Sequence, residues 1–225
     1  MGNVIPFNPL DKRNLALSVG NALAATDPKP LSELEHFEGS GVYSLYYVGD
    51  FGAYEPLSKT NRIEVSCPIY VGKADSKGKR KGGFIEDSSI GMALYKRLSD
   101  HAKSISQASN LRIEDFYFRS LVVDDLWISL GESLLISEHA PVWNTLVEGF
   151  GNHDPGKGRY QGMRPLWDML HPGRPWADKL KPNIKSADSL AAEALQYLAE
   201  RYPVIARWGV SRTYTVIDPF DTNEL

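Results

Sequence analysis

The 225-residue sequence predicts an α+β protein. Runs rich in β-branched and aromatic residues at 42–48, 69–71 and 116–123 read as strands. Stretches with a period near 3.6 residues lie before, between and after them and read as helices. An apolar content of 42% and a charged content of 24% are those of an ordinary globular chain, long enough for one good core with an elaborate extension.

In chain order, Asp11 can cap a first helix whose apolar stripe is Leu15, Val19 and Leu23, and Pro28 and Pro30 end it. Gly39, Gly41 and Gly49 bracket the first strand, and Pro68 opens the second where an edge tolerates it. Residues 49–66 make an unusually long connection between them. Lys73 to Glu86 is a basic loop, followed by a helix capped by Ser88 or Ser89 and reaching about Ile105. After the third strand, Asp125 caps a helix that ends near Pro141. The segment 152–182 holds many Gly, Pro, Arg and His residues, and a helix follows from Ser186 to about Arg201. Residues 204–217 read as a terminal strand pair, and no internal repeat is visible.

Several function classes are excluded early. No apolar run approaches the roughly 20 residues that span a bilayer, and the N-terminus lacks a signal-peptide pattern. A single cysteine, Cys67, rules out an internal disulfide and multi-cysteine metal sites. An intracellular protein is expected. His139, His153 and His171 have no zinc-type spacing, and neither a phosphate-binding nucleotide loop nor a serine-hydrolase elbow is present. The net charge is −3, yet residues 59–119 hold 12 Lys/Arg against 7 Asp/Glu. That stretch carries +5 and leaves −8 elsewhere, as in a protein that grips a polyanion with one face. A solvated Lys- and Gly-rich loop (KADSKGKRKGG, 73–83) would give the same local surplus.

Three polar residues fall on helix faces that should be apolar. Measured from Ile90, Arg97 and His101 lie about 20° to either side, inside the arc of Leu94, Leu98 and Ile105. An arginine cannot shed its charge, so Arg97 must meet a carboxylate or an anionic ligand. Glu132 sits within about 60° of Ile128, Leu135 and Ile136 on the next helix and needs a cation or a metal ion. A lone carboxylate suits Mg²⁺, which keeps most of its waters, and a structural pair with Arg97 would serve equally. His101 lies one turn from Arg97 and points at the same spot. Tyr43 shares its strand face with Leu45 and Tyr47, where tyrosines commonly serve packing alone.

Gly41-Val42-Tyr43, then Tyr70-Val71-Gly72-Lys73, Arg97 with His101, Glu132 in GESLLI and Asn144 in PVWN occur in that order. Together they resemble the GIY-YIG nuclease superfamily over about residues 40–146. This chain departs from the pattern in a longer spacer between the tripeptides and in Val at both central positions. With the Arg-rich segment after Asn144, it is similar to the type II restriction enzymes of that superfamily that cut CCGCGG.

The resemblance implies a small three-stranded antiparallel sheet flanked by helices. Around that core, residues 1–39 would form an N-terminal helical extension, 40–146 the catalytic core with insertions, and 147–225 an extension for DNA contact and assembly. It further implies that Glu132 holds one Mg²⁺ and that Arg97 grips the scissile phosphate. Tyr43 would be the base or its partner, with Lys73 and His101 as helpers, Tyr70 would position water or phosphate, and Asn144 would orient the site or contact backbone phosphate. Whether Tyr43 or His101 is the ultimate base stays open. Lys79, Arg80 and Lys81 in the basic loop, and Arg159, Arg164 and Arg174 after the core, are the expected DNA contacts, since guanine edges are best read by Arg or Lys. Double-stranded DNA is then the partner, and a homodimer cuts a palindrome, with no membrane, no nucleotide cofactor and a bacterial cytoplasmic location. Two rivals are a structure-specific repair or recombination nuclease of the same superfamily and a DNA-binding module without catalysis.

Overall fold

The computed structural model describes residue 8, residues 11–75 and residues 91–202. The elements are helix α1 (Lys12–Ala24), strand β1 (Lys29–Pro30), β2 (Gly41–Tyr47), α2 (Glu55–Ile63), β3 (Tyr70–Ala74), α3 (Ala93–Gln107), β4 (Phe116–Val122), α4 (Asp125–His139), α5 (Val142–Thr145), α6 (Leu166–Leu170) and α7 (Ala187–Arg201). The predicted α+β class holds. The sheet is antiparallel in the order β1-β4-β2-β3, so β2 is central and β3 is an edge. It has four strands where three were expected. The fourth is the two-residue β1, whose Pro30 is tolerated because it lies at the other edge.

β2 is buried along its whole length, because both of its faces are covered. On one side Tyr43, Leu45 and Tyr47 join Phe116, Phe118, the α3 residues Leu94, Leu98 and Ile105, and an aromatic group of Trp143, Phe150 and Trp167. On the other, Val42 and Val71 meet Val19 and Leu23 of α1 and Ile128 and Leu135 of α4. Helices α1 and α4 pack closely at Gly131, where a Cβ would come within 2.6 Å of Val19 Cγ1. Leu190, Ala194 and Leu198 of α7 belong to the first core, so the described residues after 146 share the hydrophobic interior of the residues before them.

Some boundaries shift. The unusually long connection at 49–66 contains α2, a helix the sequence pattern does not reveal. Helix α3 starts at Ala93, later than a cap at Ser88 or Ser89 would place it; those serines lie outside the described residues. Asp124 rather than Asp125 caps α4, its side chain accepting from Leu126 N at 3.0 Å. The helix expected from Ser186 to about Arg201 is α7, and Ser186 is its cap, accepting from Ser189 N. The expected strand pair at 204–217 lies outside the described residues.

A polar chain runs through the first core. Trp143 Nε1 donates to the Tyr54 hydroxyl at 2.8 Å, and that hydroxyl lies 2.6 Å from His171 Nε2. His171 Nδ1 is 2.9 Å from Asn110 Oδ1. The bonds are mutually consistent with a neutral His171 that carries its proton on Nδ1 and accepts from Tyr54. Burial, then the charge of Arg174, pushes the His171 pKa down to about 3. The ordinary value is about 6.5, so the unfolded chain binds a proton that the native state refuses. His171 therefore supports the fold fully above about pH 6.5 and loses that support as pH falls towards 3, over a span worth on the order of 3–5 kcal/mol. Urea unfolding of wild type and His171→Gln at pH 7.5 and pH 4 checks this. The variant should be less stable at pH 7.5 and lose less on acidification; equal losses would refute the assignment.

Candidate active site

The site lies at the edge strand β3, with α3 on one face of the sheet and α4 on the other. Tyr43 of β2 stands opposite Gly72 of β3, and Leu45 stands opposite Tyr70, so the two tyrosines are diagonal neighbours on one face. Their ring centroids are 6.3 Å apart. Gly72 is required by contact: a Cβ there would lie 2.3 Å from the Tyr43 hydroxyl. Gly41 is confined in the same way on the β4 side, where a Cβ would meet Leu121 O at 2.0 Å.

Helix α3 presents Arg97 and His101 one turn apart, as its apolar phase requires. The Tyr43 hydroxyl lies 2.6 Å from His101 Nε2, and both residues are buried. The His101 ring stacks on Phe150, with centroids 4.4 Å apart, and meets the Tyr70 ring edge-on at 5.2 Å. Burial raises the Tyr43 phenol well above its ordinary range; Tyr70 adds to this and the Arg97 guanidinium opposes it. Tyr70 is pushed up by burial too, again against Arg97. His101 is pushed well down, by burial first and then by the charge of Arg97. Tyr43 therefore keeps its proton and His101 is a neutral imidazole, whose Nε2 accepts from the hydroxyl in the Nδ1–H tautomer.

Arg97 is half-buried and does not pair with Glu132. Its Nη1 lies 2.8 Å from His153 Nε2, and its Nη2 donates to Gly151 O at 3.2 Å. Glu132 instead meets Lys73, Oε2 to Nζ at 3.3 Å, and Lys73 also donates to Ser129 Oγ at 2.9 Å. The structural Arg97–Glu132 pair that the sequence left open is thus not formed. A cleft of about 500 Å³ beside Arg97 is lined by Lys73, Asp75, Lys96, Asp100 and His153 among others. No group of three or more metal-ligating side chains occurs among the described residues. Glu132 is a lone carboxylate in reach of the tyrosines' electrostatic field, a donor set that fits a hard cation retaining several waters.

Asn144 braces the strand. Its Oδ1 accepts from Val71 N at 2.8 Å and its Nδ2 donates to Val71 O at 2.9 Å, so one side chain substitutes for a rung of the missing neighbour of edge strand β3. Those bonds favour orienting the site over contacting DNA, the two options the sequence allowed.

The expected DNA contacts divide. Lys79, Arg80 and Lys81 lie outside the described residues. Arg159 is exposed at the end of a short 3₁₀ turn. Arg164 is partly engaged, donating from Nε to Ala177 O at 3.0 Å and lying 3.4 Å from Asp178 Oδ1. Arg174 must be corrected. It is 1% exposed, forms a bidentate pair with Asp168, and donates to the carbonyls of Phe150, Asn152 and Gly149. All five donors of a guanidinium are consumed, and none remains for a guanine edge. The sequence reading missed Phe150, Gly151 and His153 as parts of the site. They sit in an irregular segment where no periodicity marks an inward face.

The family model described as the Eco29kI GIY-YIG domain matches residues 35–198, most of the chain. The chain belongs to the Eco29kI GIY-YIG family. The match reaches well past Asn144, to which the recognisable motifs had extended, and takes in the loop of Phe150 to His153 and most of α7. No curated protein matches the chain. An Eco29kI-type GIY-YIG domain is a restriction endonuclease domain, so the chemistry is nucleolytic and the substrate is DNA. GIY-YIG nucleases generally use divalent metal ions. No described helix is long and apolar enough to cross a membrane.

Proposed function

We propose that the protein is a type II restriction endonuclease making Mg²⁺-dependent double-strand breaks at CCGCGG, acting as a homodimer on DNA in the bacterial cytoplasm. The observation that carries the catalytic reading is the 2.6 Å contact between Tyr43 and His101 beside the Arg97 guanidinium, within a restriction-endonuclease family match.

Arg97 offers its fork of donors to the scissile phosphate, drawing charge off the phosphorane as it forms. The Tyr43 hydroxyl takes a proton from the attacking water while its own proton passes to His101 Nε2. This concerted relay avoids a free phenolate, which burial makes costly. The water oxygen bonds to phosphorus, the bond to the 3′ oxygen breaks, and that oxygen leaves with the electron pair and is protonated from solvent. Tyr70 flanks the water or the phosphate, and Asn144 keeps Tyr70 and Gly72 in register through Val71. Glu132 would hold Mg²⁺ together with water, and the ion would shield phosphate charge and stabilise the leaving oxygen. Lys73, now paired to Glu132, would turn to the phosphate. Arg159, Arg164, Lys79, Arg80 and Lys81 are the proposed DNA contacts.

One chain carries a single set of these residues and a palindromic break needs two cuts, which supports two copies per site. Plasmid DNA incubated with Mg²⁺ or with chelator, followed by end-sequencing, tests the reading. Discrete fragments with CCGCGG ends, formed only with metal, are expected. A preference for branched DNA would indicate the repair-type rival, and binding without cleavage the non-catalytic one.

A further inference from the structure

The loop at 149–153 reaches from the end of the motif-bearing core back over α3, and its shape is fixed from beneath. Buried Arg174 gathers the carbonyls of Gly149 at 3.0 Å, Phe150 at 2.9 Å and Asn152 at 3.2 Å, while Asp168 holds the other side of the guanidinium. With those carbonyls turned inward, the loop presents three features to α3: the Phe150 ring to His101, the Gly151 carbonyl to Arg97 Nη2, and His153 Nε2 to Arg97 Nη1. A Cβ on Gly151 would fall 2.8 Å from Arg97 Nη2 and 2.9 Å from the Tyr70 hydroxyl, so the loop is as close to the site as a backbone can come.

We propose that His153 is a positioning residue that holds the catalytic arginine, Arg97, in register through its Nε2 lone pair, and that the Gly149–His153 loop is the second wall of the active site. The proposal deepens the nuclease reading and rests on it for its catalytic consequence. A guanidinium only donates hydrogen bonds, so His153 must be neutral with its proton on Nδ1. A free arginine side chain carries about 2 kcal/mol of rotamer entropy. Two acceptors from one rigid loop fix the plane of the fork before DNA arrives, leaving its other donors for the phosphate. His153 itself is exposed, so its replacement leaves the core untouched.

Three variants separate positioning from bulk structure. His153→Ala and His153→Lys, the second a donor only, should slow single-turnover plasmid cleavage by roughly 10- to 100-fold. Their melting curves and their DNA affinity in chelator should match wild type. His153→Gln restores an acceptor and should cut measurably faster than either. Independently of cleavage, nitrogen NMR of ¹⁵N-histidine-labelled protein should show His153 as the Nδ1–H tautomer, with that signature altered in Arg97→Ala. Wild-type rates in the Ala and Lys variants, a Gln variant no better than Ala, or an Nε2–H tautomer would each overturn the proposal. A wild-type protein that leaves DNA uncut removes the nuclease reading instead, and the tautomer then still decides whether His153 holds Arg97.

Discussion

Replacing Glu132 by Gln is expected to lower Mg²⁺-supported DNA cleavage by about 10³-fold or more while leaving folding and DNA binding near wild type. The two side chains have the same shape, so the variant removes a charge and little else. The fold should tolerate it. Glu132 is paired with Lys73, and both side chains remain partly exposed (22% and 32%). A pair so open to solvent is worth about 0–1 kcal/mol. Lys73 also keeps its bond to Ser129. Catalysis should not tolerate it, because a neutral amide is a far weaker ligand for a hard divalent cation than a carboxylate. Single-turnover cleavage, DNA binding by fluorescence anisotropy in chelator and a thermal melt on the same preparation decide the matter. A variant that cuts within tenfold of wild type would remove Glu132 as the metal ligand, and one that unfolds would make it a structural residue.

The candidate site was legible where periodicity exposes a conflict. Arg97 and His101 fall on the phase of Leu94, Leu98 and Ile105, and a charged residue there must have something to meet. The strands were legible because β2 is covered on both faces and so reads as a continuous run of apolar and aromatic residues. Helix α2 was not, and the reason is chemical. Its buried positions include Ser58, Thr60 and Asn61, which are at home inside because they satisfy backbone groups. Ser58 Oγ donates to Gly49 O, and Asn61 donates to the carbonyls of Tyr47 and Cys67 and accepts from Cys67 N. A hydropathy pattern registers such residues as solvent-facing. The same blindness made Arg174 look like a base reader. Its acid partner lies six residues away on the short helix α6, and its carbonyl partners 22 to 25 residues away, at distances no periodicity encodes. In an Arg-rich stretch, burial sorts the structural arginines from those free to meet DNA, and burial is a tertiary property.

Removing Asp168 should cost the fold heavily. Its carboxylate and the Arg174 guanidinium are each 1% exposed. Asp168→Ala strands a buried cation, a loss of roughly 3–5 kcal/mol. Against a total stability of about 5–15 kcal/mol for a typical protein, that is enough to lower the melting temperature markedly or to prevent accumulation of soluble protein. Electrostatics alone would make the double replacement Asp168→Leu with Arg174→Met a good rescue, since apolar pairs often equal or exceed buried ion pairs. Here the rescue should be incomplete, and incomplete in an informative way. Arg174 also satisfies three backbone carbonyls, and the stack of its guanidinium on Trp167 and Trp176 would be lost as well. The double variant should therefore regain part of its melting temperature, yet cut DNA more slowly than its folded fraction accounts for, because the loop that holds Arg97 has lost its anchor. Thermal melts of the three proteins, with cleavage rates normalised to folded protein, separate the two effects. Full recovery of both would reduce Arg174 and Asp168 to an interchangeable filling of the core.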